Sequence, residues 1–363
     1  MKKNVMIIDD SALMRRILSD IIESDNRFRV AGVSRDATSA VNSLLEHPTE
    51  YDVVLLDFFL PDLNANQLLK KIEGKGVTAK IVIISGILNQ DAMEVIEALE
   101  CGAFDFVTKS SGVSLTGNEE FTKKVLQCVE LAAFSDISKA KTKVQRVEKK
   151  REEAPISIDH TLKAKKKGSV RGEKLVALAC STGGPKALHR VIPRLNAKLN
   201  APMLIVQHMP RGFTASLAAR LDEISKVHVK EAQNGDVLQK GTVYIAQGGA
   251  QMRIEQKNGH YVIRVTDEPA RGGLRPCADI MYESLVGSDY AEITCVVLTG
   301  MGGDGTQGIR KLNEKNNIYA ISQNAETCTV YGMPKVFYES GLADEVLPID
   351  EIADAICRHV GVQ

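Results

Sequence analysis

The sequence lacks three features that point directly to particular classes of protein: a net charge, a long apolar run and paired cysteines. Its 363 residues carry 46 basic and 46 acidic side chains, so no overall field favours nucleic acid or a membrane surface. No apolar run approaches the ~20 residues that span a bilayer. We therefore expect no nucleic-acid partner and no direct insertion into a membrane.

The seven cysteines form no C-x-x-C pair, and their number is odd. In a chain of this size, that pattern is typical of reduced intracellular thiols that fill the core. Acidic residues at positions 9 and 10 interrupt the short apolar run near the N-terminus, which makes it a poor secretion signal. These features predict a cytoplasmic protein, and the length leaves room for two domains.

Residues 1–134 show strand-like and helix-like segments in alternation. Apolar runs typical of strands lie near residues 4–9, 28–33, 53–57, 80–85 and 104–108, and a segment with helical spacing follows each of them. Five such units predict an α/β fold with a doubly wound, five-stranded parallel sheet. After the first run, Ser11 is the expected N-cap of a helix.

Polar side chains end four of these five strands, namely Asp9 with Asp10, Asp57, Ser85 and Lys109. Because the carboxyl ends of parallel strands meet at one edge of a sheet, we expect these side chains to lie together. Clustered carboxylates repel one another unless a cation joins them, and oxygen ligands with water suit Mg²⁺. The pattern predicts an acyl-phosphate site with Asp57 as nucleophile. The alternative is a set of helix N-caps.

This first segment resembles the receiver domain of two-component response regulators. The motifs IIDDS, VVLLDFFLPD, IISG and GAFDFVTK carry the resemblance in order and spacing. It implies that a partner histidine kinase phosphorylates Asp57. It also implies Mg²⁺ held by Asp10, Asp57 and the Phe59 carbonyl. Asp9 would act on the metal through water, and Lys109 would bind the phosphoryl group.

The resemblance also implies a pair of switch residues, Ser85 and Phe106. Two positions depart from the family pattern. Ser110 follows the lysine where proline is usual, and residues 63–65 are Leu-Asn-Ala where Met-Asp-Gly is usual. Neither departure changes the acidic residues Asp9, Asp10 and Asp57. The departures would instead affect the loop geometry and the rate of dephosphorylation.

The composition changes between residues 135 and 173. Residues 139–174 carry thirteen lysines and arginines against five acidic residues, with few large apolar side chains. Such a segment buries too little surface to offset its chain entropy. We interpret residues 135–173 as a basic linker between domains at 1–134 and 174–363. Its charge would suit an acidic partner surface, and a solvated tether is the simpler account.

Residues 174–363 show a second alternation of segments. Strand-like runs lie near 175–180, 203–207, 242–246, 294–299 and 318–322, and helical spacing lies near 187–195, 214–224, 278–286 and 306–314. Two further runs, 252–255 and 261–266, are joined through Asn258-Gly259, which is typical of a hairpin. We therefore expect an α/β domain with a parallel sheet and an antiparallel hairpin.

Three polar residues follow strands of this second sheet. Ser181 ends the first strand and precedes Thr-Gly-Gly-Pro, His208 follows the second, and Asp304 lies in a glycine-rich loop after the fourth. On one edge of a sheet they would form a triad. Ser181 would attack a carbonyl carbon, His208 would take and return its proton, and Asp304 would orient the imidazole. Taken singly, Ser181 could cap a helix and His208 could lie in a turn.

The glycine-rich loop allows a second interpretation. Residues 300–305 fit G-x-G-x-x-G after a strand, and Glu326 lies about twenty residues further on, as in dinucleotide-binding sites. Asp304 opposes this interpretation, because it would place a negative charge beside a pyrophosphate. Cys180 is a competing nucleophile beside Ser181, but side chains alternate along a strand, which favours a buried position for the thiol.

The second domain resembles the catalytic domain of the chemotaxis protein-glutamate methylesterases, the CheB family. The resemblance is carried in order by CSTGGPKAL, IVQHMPRGFTASLAARLD, VKEAQNGDVL, GTVYIAQGGAQM, RPCADIMYESL, LTGMGGDGTQGI and TVYGMPK. It aligns the family's triad on the three residues above and implies oxyanion support from Thr182 and the Met301 amide. Cys277 stands where serine is usual, and residues 324–325 are Asn-Ala where Asp-Glu is usual.

Together the two resemblances imply a phosphorylation-controlled hydrolase. Its substrates would be glutamate γ-methyl esters on methyl-accepting chemoreceptors, and receptor glutamines would be deamidated through the same acyl-enzyme. A chemotaxis histidine kinase would be the phosphodonor, and hydrolysis would need no cofactor. The unphosphorylated receiver would cover the edge of the sheet that carries Ser181. Phosphorylation of Asp57 would weaken that interface. Two alternatives remain. One is a receiver linked to a dinucleotide-binding module, and the other is a non-catalytic regulator that binds receptors or the kinase.

Overall fold

The computed structural model describes residues 1–86, 92–109, 119–135 and 172–361. The chain divides into two compact units, Met1–Ser135 and Asp136–Gln363. Apart from its two ends, the predicted linker at 135–173 lies outside the described residues, as does Ser110, so the predicted domain boundaries stay predictions. None of the helices in the described ranges is long and apolar enough to cross a bilayer.

The first unit is a parallel sheet whose strands alternate with helices. Its elements are β1 (Lys3–Ile8), α1 (Ala12–Glu23), β2 (Phe28–Ser34), α2 (Ala37–Glu46), β3 (Val53–Asp57), α3 (Ala65–Ile72), β4 (Lys80–Ser85), α4 (Ala92–Glu100), β5 (Asp105–Thr108) and α5 (Glu119–Phe134). The strand order is β2-β1-β3-β4-β5, and all pairings are parallel. The predicted doubly wound sheet is confirmed. Its winding reverses between β1 and β3, where such folds bind ligands.

Local sequence explains where several of these elements begin. Ser11 caps α1 as predicted, because its hydroxyl accepts a bond from a backbone amide of the first turn. Asn64, at one of the departures from the receiver pattern, forms a capping box with Gln67 at the start of α3. Asp62 crosses to the start of α2 and accepts bonds from the Thr38 amide and hydroxyl. The loop after β3 is therefore tied to two helix starts.

The second unit contains a larger parallel sheet. Its elements are β6 (Lys174–Cys180), α6 (Gly184–Val191), β7 (Met203–Gln207), α7 (Phe213–Ile224), β8 (His228–Glu231), β9 (Thr242–Ile245), β10 (Gln251–Lys257), β11 (His260–Thr266), α8 (Ala278–Ser284), β12 (Glu292–Val297), α9 (Thr306–Lys315), β13 (Ile318–Gln323), α10 (Met333–Glu339), β14 (Glu345–Leu347) and α11 (Ile349–Val360). Seven strands form one sheet in the order β14-β13-β12-β6-β7-β9-β8. All of its pairings are parallel.

The predicted hairpin is confirmed as a separate two-stranded sheet. β10 and β11 pair antiparallel, and the turn residues Asn258 and Gly259 have φ of 51° and 78°. Positive φ at both turn positions matches the twist of hairpin strands, and these two residue types adopt it at low cost. Met252, Ile254 and Ile263 are buried in the main hydrophobic cluster. The hairpin therefore packs its apolar face on the body of the unit.

Four elements of the second unit go beyond the sequence-based expectation. The edge strands β8 and β14 have four and three residues, which is too short to show a period of two. Helix α10 has seven residues and gives a similarly weak signal. Helix α11 is different, because its buried positions at 349, 352, 353, 356 and 360 follow helical spacing that the sequence displays.

Candidate functional site

The winding of the second sheet reverses between β6 and β12. Beyond β6 the chain adds β7, β9 and β8 on one side, and β12, β13 and β14 lie on the other. Ser181 is the residue after β6, and its amide donates to the Thr299 carbonyl beyond β12 at 3.0 Å. The candidate nucleophile therefore lies at the crevice where open α/β sheets bind ligands.

Glycine is required on both sides of Ser181. Gly183 has a φ of 75°, and a Cβ added there would lie 2.4 Å from the Thr329 Cβ. A Cβ added to Gly300 would lie 2.7 Å from the Ser181 Cβ and 2.5 Å from the Met333 sulfur. Any larger residue would push these turns apart, so the close approach depends on the absence of a side chain.

His208 and Asp304 are in direct contact. His208 Nε2 lies 2.8 Å from Asp304 Oδ2, and the two side chains are 10% and 6% exposed. The His208 amide donates to the Cys180 carbonyl at 3.1 Å, which brings the histidine beside the Ser181 turn. Because Nε2 faces the carboxylate, Nδ1 is the nitrogen that remains for a serine proton. Serine proteases of the chymotrypsin type use the two nitrogens the other way round.

Four donors surround the Asp304 carboxylate. Besides His208, they are the Ala278 amide at 2.6 Å, the Asp279 amide at 3.0 Å and the Cys277 thiol at 3.2 Å. Burial alone would raise the pKa of Asp304, but the hydrogen bond and charge of His208 and the two amides lower it to about 2. The carboxylate is therefore ionised at every physiological pH.

The other candidates in this unit lie around the same turns. Thr182 is half-buried, and its carbonyl accepts a bond from the Thr299 hydroxyl at 3.0 Å. Met301, in the loop after β12, is 42% exposed. Cys180 is fully buried, and burial raises the pKa of its thiol. A buried protonated thiol fits the expected structural neighbour rather than a nucleophile.

A second polar cluster lies at the carboxyl edge of the first sheet. Carboxylate oxygens of Asp9, Asp10 and Asp57 all lie within 4.8 Å of one another. Lys109 Nζ lies 2.6 Å from Asp57 Oδ1 and 3.2 Å from Asp9 Oδ2. Asp10 is exposed, so the cluster opens to solvent. This donor set fits Mg²⁺, which binds a few carboxylate oxygens and keeps several waters.

The charges in this cluster oppose one another. Burial raises the pKa of Asp57 to about 6, because attraction by Lys109 only partly offsets it and Asp9 and Asp10 add repulsion. Burial also opposes the charge on Lys109, but attraction by Asp57 and Asp9 is larger and raises the pKa of the amine. A divalent cation would relieve the repulsion and favour ionised Asp57.

The remaining receiver candidates occupy neighbouring positions. Ser85 ends β4, is fully buried, and donates from its hydroxyl to the Gly86 carbonyl at 3.1 Å. Phe106 is half-buried on β5. Phe59 lies two residues beyond Asp57, and its side chain is 49% exposed. The switch role of the first two and the metal role of the Phe59 carbonyl stay predictions.

The chain is similar to known proteins over almost its whole length. A family model described as CheB methylesterase matches residues 176–356, and one described as response regulator receiver domain matches residues 5–118. A protein-glutamate methylesterase/protein-glutamine glutaminase of Symbiobacterium thermophilum is 39% identical over 364 residues, which covers 98% of this chain and 97% of the relative. The chain belongs to the CheB methylesterase family. It is a CheB-family methylesterase with an N-terminal receiver domain.

The chain is also similar to two further proteins. A protein of the same name from Geobacillus kaustophilus is 37% identical and is matched over 98% of both chains. The crystal structure of the Thermotoga maritima CheB methylesterase catalytic domain is 38% identical, with a TM-score of 0.49, and the match covers 52% of this chain and 99% of that one.

Asp279 is a site residue that the sequence reasoning missed in this CheB-family chain. Its amide binds Asp304, and its own carboxylate accepts bonds from the Gly305 and Gly308 amides at 3.0 and 2.6 Å. Asp279 therefore acts as a clamp that ties the start of α8 to the glycine-rich loop and to the first turn of α9. Its place in an acidic first turn of α8 gives no local signal for this role, because both partners lie more than 20 residues away.

The same clamp argues against the dinucleotide interpretation. A G-x-G-x-x-G site needs free amides at the helix start to bind a pyrophosphate. Here the amides of Gly305 and Gly308 are taken by the Asp279 carboxylate, and Asp304 adds a second negative charge nearby. A phosphate placed there would meet two carboxylates instead of free donors.

The lowered pKa of Asp304 predicts a pH-dependent contribution to stability. A carboxylate with a depressed pKa stabilises the folded state above its unfolded pKa of 3.8 and loses that effect as pH falls towards 2. We expect wild type to exceed Asp304→Asn in free energy of unfolding, and the gap to shrink by about 1 kcal/mol between pH 5 and pH 3. Urea unfolding followed by circular dichroism measures this gap.

Asp350→Asn is the matched control for this measurement. Its carboxylate is 49% exposed and pairs with Arg190 and Arg194 at the surface, where ion pairs contribute little. The gap between wild type and Asp350→Asn should stay constant over the same range. A gap for Asp304→Asn that is equally constant would contradict the proposed electrostatic role of the carboxylate.

Proposed function

We propose that this CheB-family chain hydrolyses γ-methyl esters of glutamate residues on methyl-accepting chemoreceptors, and that it does so in the cytoplasm. The observation that carries the proposal is the part-buried 2.8 Å contact between His208 Nε2 and Asp304 Oδ2, beside the Ser181 turn. Full-length relatives named protein-glutamate methylesterase/protein-glutamine glutaminase support the choice of substrate.

The chemistry follows from a Ser-His-Asp triad. Ser181 Oγ attacks the ester carbonyl carbon while His208 Nδ1 accepts the hydroxyl proton, and Asp304 stabilises the resulting imidazolium. The tetrahedral intermediate expels the methoxy group, which takes the proton from His208 and leaves as methanol. Water then attacks the acyl-enzyme and gives its proton to His208. Collapse releases the glutamate side chain and returns the proton to Ser181.

Oxyanion support comes from the Met301 amide and from Thr182 in this proposal. Both residues flank the Ser181 turn, and donors fixed before the reaction stabilise a developing negative charge without reorganisation. Deamidation of receptor glutamines uses the same steps with ammonia as the leaving group, since both substrates form the same acyl-enzyme. Neither reaction needs a cofactor in this unit.

The receiver is the proposed regulatory input. A chemotaxis histidine kinase phosphorylates Asp57, and Lys109 binds the phosphoryl group. Asp10, Asp57 and the Phe59 carbonyl would hold Mg²⁺, and Asp9 would act on it through water. The ion would neutralise charge between the carboxylates and the phosphoryl oxygens. The carboxylate cluster and its contact with Lys109 support this assignment.

Ser85 and Phe106 form the proposed switch pair that carries the signal from the phosphorylated site. Ser85 ends β4 next to the acidic edge, and Phe106 lies on the neighbouring strand β5. Movement of the buried hydroxyl towards a phosphoryl oxygen would free space for the half-buried ring. Phosphorylation would in this way shift the population of receiver conformations and raise hydrolysis.

Phosphorylation of Asp57 is expected to raise the rate of methanol release. With methylated receptor membranes, Mg²⁺ and acetyl phosphate, the wild-type rate should rise about 10-fold or more, within the range of known couplings between sites. Asp57→Asn should remain at the unstimulated rate, because it lacks the oxygen that forms the acyl phosphate. Methanol release is measured for both proteins with and without acetyl phosphate.

Asp52→Asn is the control for the receiver substitution. Its carboxylate lies at the start of β3, away from the acidic cluster, and pairs with Lys3 at 2.6 Å. It should retain the full response to acetyl phosphate. A wild-type rate that acetyl phosphate leaves unchanged, or stimulation of Asp57→Asn equal to wild type, would refute control through this site while leaving the esterase proposal intact.

A further inference from the structure

A buried side-chain amide joins the two strand ends that carry the nucleophile and the base. Gln207 is the last residue of β7 and is 2% exposed. Its Nε2 donates to the Ser181 carbonyl at 3.0 Å and to the His208 carbonyl at 3.1 Å. Its Oε1 accepts a bond from the Cys180 thiol at 3.0 Å. The triad chemistry above assigns no role to this residue.

The chemistry of the contacts fixes the orientation of the amide. A carbonyl oxygen only accepts hydrogen bonds, so the group that faces both Ser181 and His208 must be a donor with two protons. The nitrogen of a glutamine amide provides these two protons, and its oxygen is left for the Cys180 thiol. Both amide protons of Gln207 are therefore used and its oxygen accepts one bond, whereas methionine, which has a similar size, offers no donor.

Gln207 continues the strand ladder beyond the point where the backbones separate. β6 and β7 pair in register up to Cys180 opposite Gln207, and the His208 amide donates to the Cys180 carbonyl at 3.1 Å. Beyond this pair, Ser181 turns towards α6 and His208 enters a loop. The Gln207 side chain supplies the next cross-strand bond, to the Ser181 carbonyl, in place of a backbone amide, and its second proton binds the carbonyl of its own neighbour His208.

The start of α6 is shaped around this amide. A Cβ added to Gly184 would lie 1.9 Å from Gln207 Oε1 and 3.2 Å from the Cys180 Cβ. The Gly184 amide donates to the Ser181 carbonyl at 2.7 Å, so this carbonyl is held from two directions. The glycine after Gly183 therefore has a packing role that is separate from the turn itself.

We propose that Gln207 is a positioning residue for the hydrolytic reaction. By holding the carbonyls of Ser181 and His208 on one nitrogen, it sets the separation and relative orientation of the two backbones that carry Oγ and Nδ1. This inference rests on the proposed function of Ser181 and His208. It concerns activation of the nucleophile, so it predicts an effect on kcat rather than on receptor binding.

Gln207→Met tests the inference, because it keeps a side chain of similar length and removes both donors. In phosphodonor-activated full-length protein, kcat for methanol release should fall about 10- to 100-fold, since small misplacements of reacting groups have effects of this size. KM should stay within about threefold. The rate at which a small fluorophosphonate labels Ser181 should fall in parallel with kcat.

Two matched controls separate positioning from stability. Tyr282→Phe removes a buried hydroxyl that also bridges two strand carbonyls, those of Ala177 and Val296, at 3.0 and 3.2 Å. Cys180→Ala removes a buried sulfur together with its bond to Gln207 Oε1, and it leaves both bonds of Gln207 Nε2 in place. Both should keep kcat and the labelling rate within about threefold of wild type, whatever their thermal stability.

The possible outcomes distinguish the inference from the proposed function. A folded Gln207→Met with wild-type kcat and labelling rate overturns the inference. If Gln207→Met does not fold, Gln207→Asn replaces it as the test of the same kcat and labelling rate. The asparagine amide is one methylene too short to bridge both carbonyls. If neither Gln207 variant folds although Tyr282→Phe does, Gln207 is needed only for folding, and this outcome also overturns the inference. No methanol release by wild type refutes the proposed function instead, and the labelling rates then still decide on Gln207.

Discussion

Replacing Ser181 with alanine is expected to abolish methanol release from methylated receptor membranes. Removal of the nucleophile from a triad leaves only the catalysis that binding and oxyanion donors provide, so kcat should fall by at least about 10⁴-fold. The alanine fits the site, because the Ser181 backbone bonds to Thr299 and Gly184 do not involve the hydroxyl. Methanol release by the phosphodonor-activated protein measures the effect.

Binding measurements on the same variant separate an enzyme from a non-catalytic regulator. Ser181→Ala should still sediment with receptor membranes as wild type does. The substitution removes a single hydroxyl group and leaves the rest of the receptor-binding surface unchanged. Ser216→Ala, a half-buried serine on α7, should keep both binding and turnover. Unchanged methanol release by Ser181→Ala would remove Ser181 as nucleophile and favour another mechanism in this unit.

Asp304→Asn is expected to lower kcat by about 10⁴-fold while the unit stays folded. The carboxylate accepts bonds from the amides of Ala278 and Asp279 as well as from His208 Nε2. An asparagine offers one acceptor oxygen where the carboxylate offers two. Its NH₂ group would face an amide or favour the wrong histidine tautomer. Initial rates at saturating receptor concentration measure kcat.

A double variant tests whether Asp304 acts through His208. His208→Gln should lower turnover by several orders of magnitude, and Asp304→Asn combined with it should be no worse than His208→Gln alone. Cys277→Ser is the control, because a hydroxyl keeps the donor to Asp304 Oδ1 and should leave kcat within about threefold. Independent, additive losses in the double variant would argue that the two residues serve different steps.

The sequence determined much of the fold because the relevant signals are local. The buried run of β6, the Ser11 cap and the Asn258-Gly259 turn each depend on residues within one short segment. Such signals predict both sheets and the hairpin. Short edge strands escape them, because β8 and β14 owe their conformation to pairing with β9 and β13 rather than to their own pattern.

The sequence also selected the polar residues at the strand ends. Ser181, His208 and Asp57 each follow or end an apolar strand, and parallel strands present such positions on one edge. No comparable sequence pattern identifies the residues that hold them in place. Gln207 and Asp279 are a strand residue and a helix residue of ordinary type, and their roles depend on partners elsewhere in the chain.

Only the tertiary structure decided which strand ends meet. Thr182 and Thr299 are 117 residues apart, and their contact exists because β12 pairs with β6 on the side opposite β7. Strand order depends on the packing of all layers at once, which no local pattern encodes. Buried acceptors such as the Ser181 carbonyl and the Asp304 carboxylate must then be satisfied by the donors that this packing supplies. The amide of Gln207 and the backbone of α8 meet that requirement here.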